Sequence, residues 1–535
     1  MQISSKRVIA CYTMAVIMLF ICVLRVFSVM RNEVYSSASS NPVRRVVPLN
    51  VSRGTIYDCN GQKLTNSKTT VYAVIFNTPS AMTAVYKYFS GIEIEQITKE
   101  LTQNGFSVQR VSQPVECEGI YCVETSVNAD DSLAAKHIIG YTDSRGIGVS
   151  GLQASYDEIL KGEKQNSVTF ILNGQGKVLK GEDIEFRYDY AKENEGIKIT
   201  IDKDLQRITE QAAMNIECGA VVVTEVATGK IRAAVSRPDY KLSDLASAMK
   251  DSNKPLLNRL LSTYNIGSVF KPYVSAAGYE TGKNFSTECV GYTDVEGLTF
   301  SCHRLHGHGP VDMTLALKFS CNSYFYNYIG EVGAEKVFET ARKAGFESTV
   351  YLADGLVGRA GSLGTVLPEN LTARAMANIS IGQGELMLSP LAITNMYMAI
   401  AGNGSYRPVS LVEEIIQNGK SKELLLPASV RVMSEETARR LRYDLSTVLE
   451  EEGTGTAAKP NLTTAAGKTG TAQTGIVKNG KKVTNSWFCG FFPLENPKYA
   501  VTVLAENSAA GCGSVFRAIA DGVTEYQVRQ TYALD

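Results

Sequence analysis

The sequence predicts an α+β protein: an antiparallel sheet with helices on its faces, joined to a mixed, extended N-terminal part that carries one transmembrane helix. Three observations predict it. The C-terminal end is rich in strand patterns, at residues 464–474, 483–493 and 499–506, and residues 220–225 and 230–236 read as a hairpin around Ala227-Thr-Gly229. Between these lie helical patterns at about 268–281, 313–329, 333–344, 388–402 and 434–451, with a last helix at about 514–531. Sheet strands segregated from helices in this way define the α+β class. The third observation is a run of seventeen uncharged residues, 8–24, near the N-terminus.

That run continues past Arg25 through residue 30. It is long enough to cross a bilayer, which takes about 20 apolar residues, and an arginine near its end can snorkel. We assign residues 1–7 to a cytoplasmic tail and 8–30 to a transmembrane signal anchor. A cleaved signal peptide is the rival reading, with Ser36-Ser37-Ala38 as a passable cleavage site. Lys6 and Arg7 favour an inside N-terminus, but Arg31, Arg44 and Arg45 follow on the other side, so charge leaves orientation balanced.

Residues 36–41 read as a polar linker, 43–57 as extended chain and Asp58-Cys-Asn-Gly61 as a turn. Residues 71–76 read as a strand, while 83–104, 132–139 and 153–160 read as helical. Residues 162–187 are polar and glycine-rich, a hairpin with long arms. The charged stretch 191–196 marks a boundary, which divides an N-terminal domain, 31–195, from a C-terminal domain, 196–535. The latter opens with a strand at 197–201 and a helix at 202–216 capped by Asp202.

The 535 residues carry 54 basic and 54 acidic side chains, a formal net charge of zero. A nucleic-acid binder would show a basic excess, so that class is excluded. There are 11 cysteines, an odd number, of which Cys117/Cys122 and Cys289/Cys302 are candidate disulfides if the domain lies outside the cytoplasm. Free buried thiols are the alternative. No Cys-x-x-Cys spacing occurs, so no structural metal is expected. His303, His306 and His308 sit among glycines without a carboxylate pattern, and we read no metal site there either.

The chemistry centres on Asn265-Ile-Gly-Ser268-Val-Phe-Lys271-Pro272. A serine and a lysine three apart share a helix face. Pro272 is tolerated only in a first helical turn, which places Ser268 at a helix start, and Gly267 permits a tight entry. A hydroxyl there, beside an amine that removes its proton, is a nucleophile. Ser-x-x-Lys alone is weak evidence, because Ser247-Ala-Met-Lys250 repeats it. Downstream come Ser320-Cys321-Asn322, within a helical pattern, and Lys468-Thr469-Gly470-Thr471, within a strand pattern. Ser-x-Asn also occurs at Ser39 and Ser126, whereas Lys-Thr-Gly occurs once. A phosphate loop would need glycine at 462, which is Leu462.

Ser-x-x-Lys, Ser-x-Asn and Lys-Thr-Gly in this order are the motif set of serine β-lactamases and penicillin-binding proteins. With them, the chain resembles the class B penicillin-binding proteins, monofunctional peptidoglycan D,D-transpeptidases, over nearly its whole length. Arg53-Gly-Thr-Ile-Tyr-Asp58-Cys-Asn-Gly61 resembles that family's entry motif, with Cys59 in place of arginine. His137-Ile-Ile-Gly-Tyr141 and Gly148-Val-Ser-Gly-Leu152-Gln153-Ala-Ser-Tyr156-Asp157 resemble a second block, with Gln153 where glutamate is usual. Gly219-Ala-Val-Val-Val223 through Ser236-Arg-Pro238, Gly307-His308-Gly309, Ile381-Gly-Gln-Gly384, Gly453-Thr-Gly455-Thr456 and Trp487-Phe-Cys-Gly490 also fit. Ile266 replaces the usual proline before Gly-Ser.

The resemblance implies a penicillin-binding/serine β-lactamase-like transpeptidase domain on an N-terminal pedestal, 31–195. It implies that Ser268 attacks the penultimate D-Ala of a stem peptide and that Lys271 takes its proton. Ser320 would relay the proton to the leaving amine, and Asn322 would orient Lys271 and the substrate backbone. Lys468, Thr469, Gly470 and Thr471 would bind the terminal carboxylate, and the backbone N–H groups of Ser268 and Thr471 would form an oxyanion hole. No metal or organic cofactor is implied. Glu369-Asn370 is read as a loop acid, without the deacylating role such a residue has in some β-lactamases.

The expected partners are peptidoglycan stem peptides, β-lactams, a polytopic lipid II polymerase, and the cell membrane through a single pass, with the catalytic domain extracytoplasmic. Residues 31–195 are short for a glycosyltransferase. The alternatives are a D,D-carboxypeptidase and a non-turnover β-lactam-binding sensor or scaffold.

Overall fold

The computed structural model describes residues 5–31, 43–143, 145–173, 178–179, 183–187, 194–365, 368–478, 480–508 and 511–532. The linker 36–41, the cleavage site read there and part of the charged boundary 191–196 lie outside them. The apolar run forms a helix, Ser5–Arg31, in which Val8–Ser28, 21 residues, is the one stretch among the described residues long and apolar enough to cross a membrane. At about 1.5 Å per residue it matches a hydrocarbon core of about 30 Å.

The chain divides into two compact units that interleave along the sequence. One comprises Met1–Ser52, Lys68–Val127 and Gly162–Tyr190; the other comprises Arg53–Ser67, Asn128–Lys161 and Ala191–Asp535. A single cut near residue 195 therefore does not separate them. The reason is strand pairing: Thr55–Tyr57 lies parallel to Gly196–Ile199, which is also paired with Val412–Gln417.

In the first unit, strand Lys68–Phe76 lies between Phe106–Val111 and Ile120–Val127, both antiparallel to it. Its period of two sends side chains to both faces. Ala73 and Ile75 pack with Val85, Ile97 and Leu101 of helices Pro79–Tyr88 and Gly91–Asn104, whereas Val74 and Phe76 pack with Val47, Val168 and Phe170. Thr78 caps the first helix, its hydroxyl accepting from Ala81 N at 3.1 Å, so that helix starts earlier than residue 83. The arms of the expected hairpin, Lys161–Leu172 and Glu185–Arg187, are paired antiparallel. The flanking strands 106–111 and 120–127 carry no clear sequence pattern and were not expected.

The second unit is built on a five-stranded antiparallel sheet: β1 (Gly219–Glu225), β2 (Ile231–Arg237), β3 (Ala466–Lys478), β4 (Lys481–Phe492) and β5 (Tyr499–Ala505), in the order β2-β1-β5-β4-β3. The expected strands are all present, and β3 lies at the edge. Its helices are α1 (Lys203–Ala212), α2 (Lys271–Glu280), α3 (Met313–Lys318), α4 (Asn322–Val332), α5 (Pro390–Ala401), α6 (Glu435–Thr447) and α7 (Cys512–Tyr532), among other shorter ones. Asp202 caps α1, accepting from Asp204 N and Leu205 N at 2.9 and 3.1 Å, but α1 ends at Ala212, short of residue 216. Every residue of α5 is buried, which marks it as the central core helix.

The Arg53 motif and the Gly148–Asp157 block meet inside this unit. Buried Arg53 donates from Nε to Gln153 Oε1 at 2.9 Å and pairs with Asp157 Oδ1 at 2.8 Å. Asp58 makes the expected turn by accepting from Asn60 N and Gln62 N at 2.9 and 2.7 Å.

Three helices of the sheet's outer layer are tied by one carboxylate. Buried Asp444 on α6 accepts from Tyr279 Oη of α2 and from Thr314 Oγ1 of α3, both at 2.6 Å. Removing it would leave two hydroxyls without their acceptor. Asp444→Ala is expected to cost about 1.5–3 kcal/mol, the range for hydrogen bonds to a charged group. Chemical denaturation of the protein against wild type measures it.

Candidate active site

Ser268 sits in a tight turn rather than in a regular α-helix. Gly267–Phe270 forms a 3₁₀ turn, Lys271 N donates back to Ser268 O, and α2 then runs on with Pro272 in its first turn, as expected. The turn is clamped from several sides. Gly267 has φ +63° and donates to Gly382 O at 2.8 Å. A Cβ on Gly267 would lie 2.5 Å from Thr471 O, and one on Gly382 would lie 1.9 Å from Gly267 O. Gly470 is also tight, with Val269 Cγ1 2.9 Å and Ile266 O 3.0 Å from the place a Cβ would take. Trp487 Nε1 donates to Asn265 O at 2.9 Å, and Tyr397 Oη on α5 donates to Val269 O at 3.1 Å. These close approaches hold half-buried Ser268 beside the Lys468–Thr471 stretch of β3.

Lys271 is fully buried. Its Nζ donates to Ser320 O at 2.7 Å, Ser320 Oγ at 3.1 Å and Asn322 Oδ1 at 2.8 Å, and it lies 5.1 Å from the centre of the Phe325 ring. Three acceptors match the three donors of an ammonium. Burial nevertheless pushes the amine down to about 7, against a smaller upward pull from the Cys321 and Cys302 sulfurs. A base poised near neutrality is the result.

Ser320 does not lie inside a helix, contrary to the pattern at 313–329. The chain breaks between α3 and α4. Ser320 has φ +54°, Ser320 N donates to Leu317 O at 3.2 Å, and Cys321 N donates to Ala316 O at 2.9 Å. This is a Schellman helix end with serine where glycine is favoured. Such a left-handed residue costs about 1–3 kcal/mol and clusters at functional sites. The break frees the Ser320 carbonyl to face Lys271 and starts α4 at Asn322.

On β3, Lys468 is also fully buried, and burial followed by the charge of Lys271 pushes its amine well down. Thr469 Oγ1 donates to Thr454 Oγ1 at 3.1 Å, and Thr454 N donates to Lys318 O at 3.1 Å, which links the Gly453–Thr456 motif to both strand and α3. Thr471 is exposed and its carbonyl accepts from Gln383 Nε2 at 3.3 Å. In a strand the N–H and C=O of one residue point to the same side. The Thr471 N–H therefore also faces away from β4, toward the serine turn. Thr454 and Gln383 lie in the Gly453–Thr456 and Ile381–Gly384 motifs, to which the sequence reading gave no role.

The structure thus brings Lys271, Ser320 and Asn322 into one hydrogen-bonded set, and packs the Ser268 turn against Thr471. It leaves Ser247 aside: this residue lies in Leu245–Lys250, a helix with no buried residue. Ser126 lies in a strand of the other unit, and Glu369 is exposed in a 3₁₀ turn. Both candidate disulfide pairs are free thiols.

A profile described as the penicillin binding protein transpeptidase domain matches residues 219–525, which hold this constellation and more than half of the chain. The chain belongs to the penicillin-binding protein transpeptidase family. The resemblance to class B penicillin-binding proteins read from the motifs is borne out. Stage V sporulation protein D of Bacillus subtilis is 29% identical over 89% of this chain and 77% of its own length. The probable peptidoglycan D,D-transpeptidase PenA of Neisseria meningitidis is 26% identical over 88% and 82%. Among solved structures, penicillin-binding protein PBP2 from Helicobacter pylori shares the fold, with a TM-score of 0.68, 21% identity and coverage of 90% of this chain and 99% of that one.

Gly267 gives the sharpest local test within this penicillin-binding fold. Gly267→Ala is expected to lose about 2 kcal/mol, because the left-handed backbone and the Thr471 carbonyl both exclude a methyl group. Ser247→Ala is expected to stay within about 0.5 kcal/mol of wild type. Denaturation midpoints of the two variants decide between clamped and decoy serine.

Proposed function

We propose that this protein is a membrane-anchored peptidoglycan D,D-transpeptidase that works through a Ser268 acyl-enzyme and is inhibited by β-lactams. The observation that carries the reading is the buried Lys271 amine, held by Ser320 and Asn322 one helical turn after Ser268. A lysine kept near neutrality can take the proton of an adjacent hydroxyl.

The Ser268 oxygen attacks the carbonyl carbon of the penultimate D-Ala while Lys271 Nζ receives its proton. The oxyanion forms between the N–H groups of Ser268 and Thr471; one such donor is worth about 3 kcal/mol of barrier. Collapse breaks the peptide bond, and the departing D-Ala amine takes a proton relayed from Lys271 through Ser320. An amine of a second stem peptide then attacks the ester, which forms the cross-link and frees Ser268. Lys468, with Thr469 and Thr471, binds the terminal carboxylate; its arrival supplies the negative charge that favours the charged form of a buried amine.

The helix Ser5–Arg31 serves as the anchor, in a single pass with the catalytic unit extracytoplasmic, where stem peptides are found. A polytopic lipid II polymerase is the proposed partner, docking on the membrane span and on residues 31–195. One solved complex pairs the Helicobacter pylori PBP2 with MreC, which supports protein partners for this class. The rival reading, a D,D-carboxypeptidase, differs only in the acceptor, water instead of an amine.

Fluorescent penicillin is expected to label the full-length protein covalently, and Ser268→Ala is expected to abolish labelling. Label that persists in this variant contradicts the assignment. With lipid II and a partner polymerase, dimeric muropeptides support the transpeptidase, whereas D-Ala release without dimers supports the carboxypeptidase. The pH profile follows from Lys271. Its lowered folded pKa of about 7 leaves the amine neutral above that pH and protonated below it. The labelling rate is expected to be level above about pH 7 and to fall about tenfold per pH unit well below it.

A further inference from the structure

The reaction gives tasks to Ser320 and Asn322 but none to Cys321 between them. The Cys321 sulfur is one of four ligand atoms, with those of Cys289, Cys302 and His308, that all lie within 4.8 Å of one another. Cys289 Sγ and Cys302 Sγ are 3.5 and 3.7 Å from His308 Nδ1. All three thiols are buried, and the His308 ring is stacked on Phe319 at 5.5 Å. A tetrahedral zinc ion with Zn–S of about 2.3 Å and Zn–N of about 2.0 Å has S···N edges of about 3.5 Å. The donor set and its spacing suit that ion.

A second observation is independent of these distances. Within residues 287–310 the buried residues are Cys289, Gly291, Cys302 and Gly307. Val290, Tyr292, Leu298 and Leu305 are exposed, and Phe300 is only half-buried, against Tyr326. The segment is two small hairpins, Thr287–Cys289 with Gly309–Val311 and Tyr292–Val295 with Leu298–Ser301, without an apolar core of their own. A segment with so little apolar burial of its own gains order from a cross-link or a metal, and its cysteines are free. The backbone is folded closely around the sulfurs: a Cβ on Gly307 would lie 2.0 Å from Cys289 O.

We propose that Cys289, Cys302, His308 and Cys321 bind one zinc ion, which ties the 287–310 segment to the Ser320-Cys321-Asn322 turn and holds Ser320 in its left-handed conformation. Binding involves no redox step. Three thiols release their protons to solvent, and zinc accepts three thiolate pairs and the imidazole lone pair. Soft sulfur ligands select zinc over calcium or magnesium, and four protein ligands leave no open position for substrate. The ligands are therefore positioning residues, and Cys321 acts through the acceptors of Lys271. This departs from the expectation of no metal, which rested on sequence spacing. The donors here are spread unevenly over residues 289–321, in and beside two hairpins and at a helix break, so no short spacing rule reveals them.

The coupling to Lys271 rests on the acyl-transfer reading, whereas the zinc count does not. Full-length protein purified in detergent without chelator is expected to carry about one zinc per chain by elemental analysis. Chelator under reducing conditions is expected to lower Tm and slow penicillin labelling about tenfold, and ZnCl2 to restore both. Cys289→Ser and His308→Ala should lose the zinc, while His308→Cys, which keeps four ligands, should retain zinc and labelling. The proposal is overturned by wild-type protein that stays zinc-free after equilibration with ZnCl2 under reducing conditions, or by a Cys302–Cys321 disulfide in fully active native protein. Zinc that can be removed without slowing labelling overturns the positioning role. If Ser268→Ala still labels while zinc is bound, only the acyl-transfer reading fails. Should a variant fail to fold, the wild-type count and its reversal by chelator still decide.

Discussion

The second unit's candidate site is arranged around one buried amine. Removing a lysine from water is costly unless its hydrogen bonds are replaced, and Lys271 finds three acceptors within 3.1 Å. Meeting that demand shapes what surrounds it. The Ser320 carbonyl is available because the α3 helix ends there in a left-handed residue, and Asn322 is available because α4 starts there. Asp444 then joins α2 to α3, so that the lysine and its acceptors move as one piece. The same burial holds the amine near neutral pH, the property on which the proposed role of Lys271 rests.

A second constraint is the closeness of the serine turn to β3. Three glycines, Gly267, Gly382 and Gly470, let backbone meet backbone where a methyl group would not fit. Edge placement of β3 leaves one side of that strand outside the sheet's own pairing, and there the Thr471 carbonyl and N–H face the serine. The same five-stranded sheet carries Trp487, whose indole fixes Asn265 at the start of the turn.

Much of this was legible in the sequence, for physical reasons. Strands β1, β2, β4 and β5 carry alternation or apolar runs, and helix starts such as Asp202 announce themselves through capping chemistry. Lys-Thr-Gly and Ser-x-x-Lys with Pro272 are short-range patterns and fell where expected. What could not be read came from tertiary context. A serine carries no mark of a left-handed backbone, so α3 and α4 looked like one helix. The pairing of Thr55–Tyr57 with Gly196–Ile199 joins segments well separated in sequence, so the two units interleave where a single boundary was expected. The thiol and imidazole cluster is invisible to spacing rules for the same reason, since Cys289 and Cys321 meet only after folding.

Shape and chemistry converge on the ionisation of Lys271, which can be observed directly. Nitrogen-15 NMR of protein with labelled lysine amines, assigned by comparison with Lys271→Arg, follows that group through a pH titration. The resonance that Lys271→Arg removes is expected to titrate near pH 7, far below the ordinary lysine value of about 10.4. If Lys271 stays an ammonium through pH 9 or so, it is not the base that activates Ser268, and the account fails at its centre.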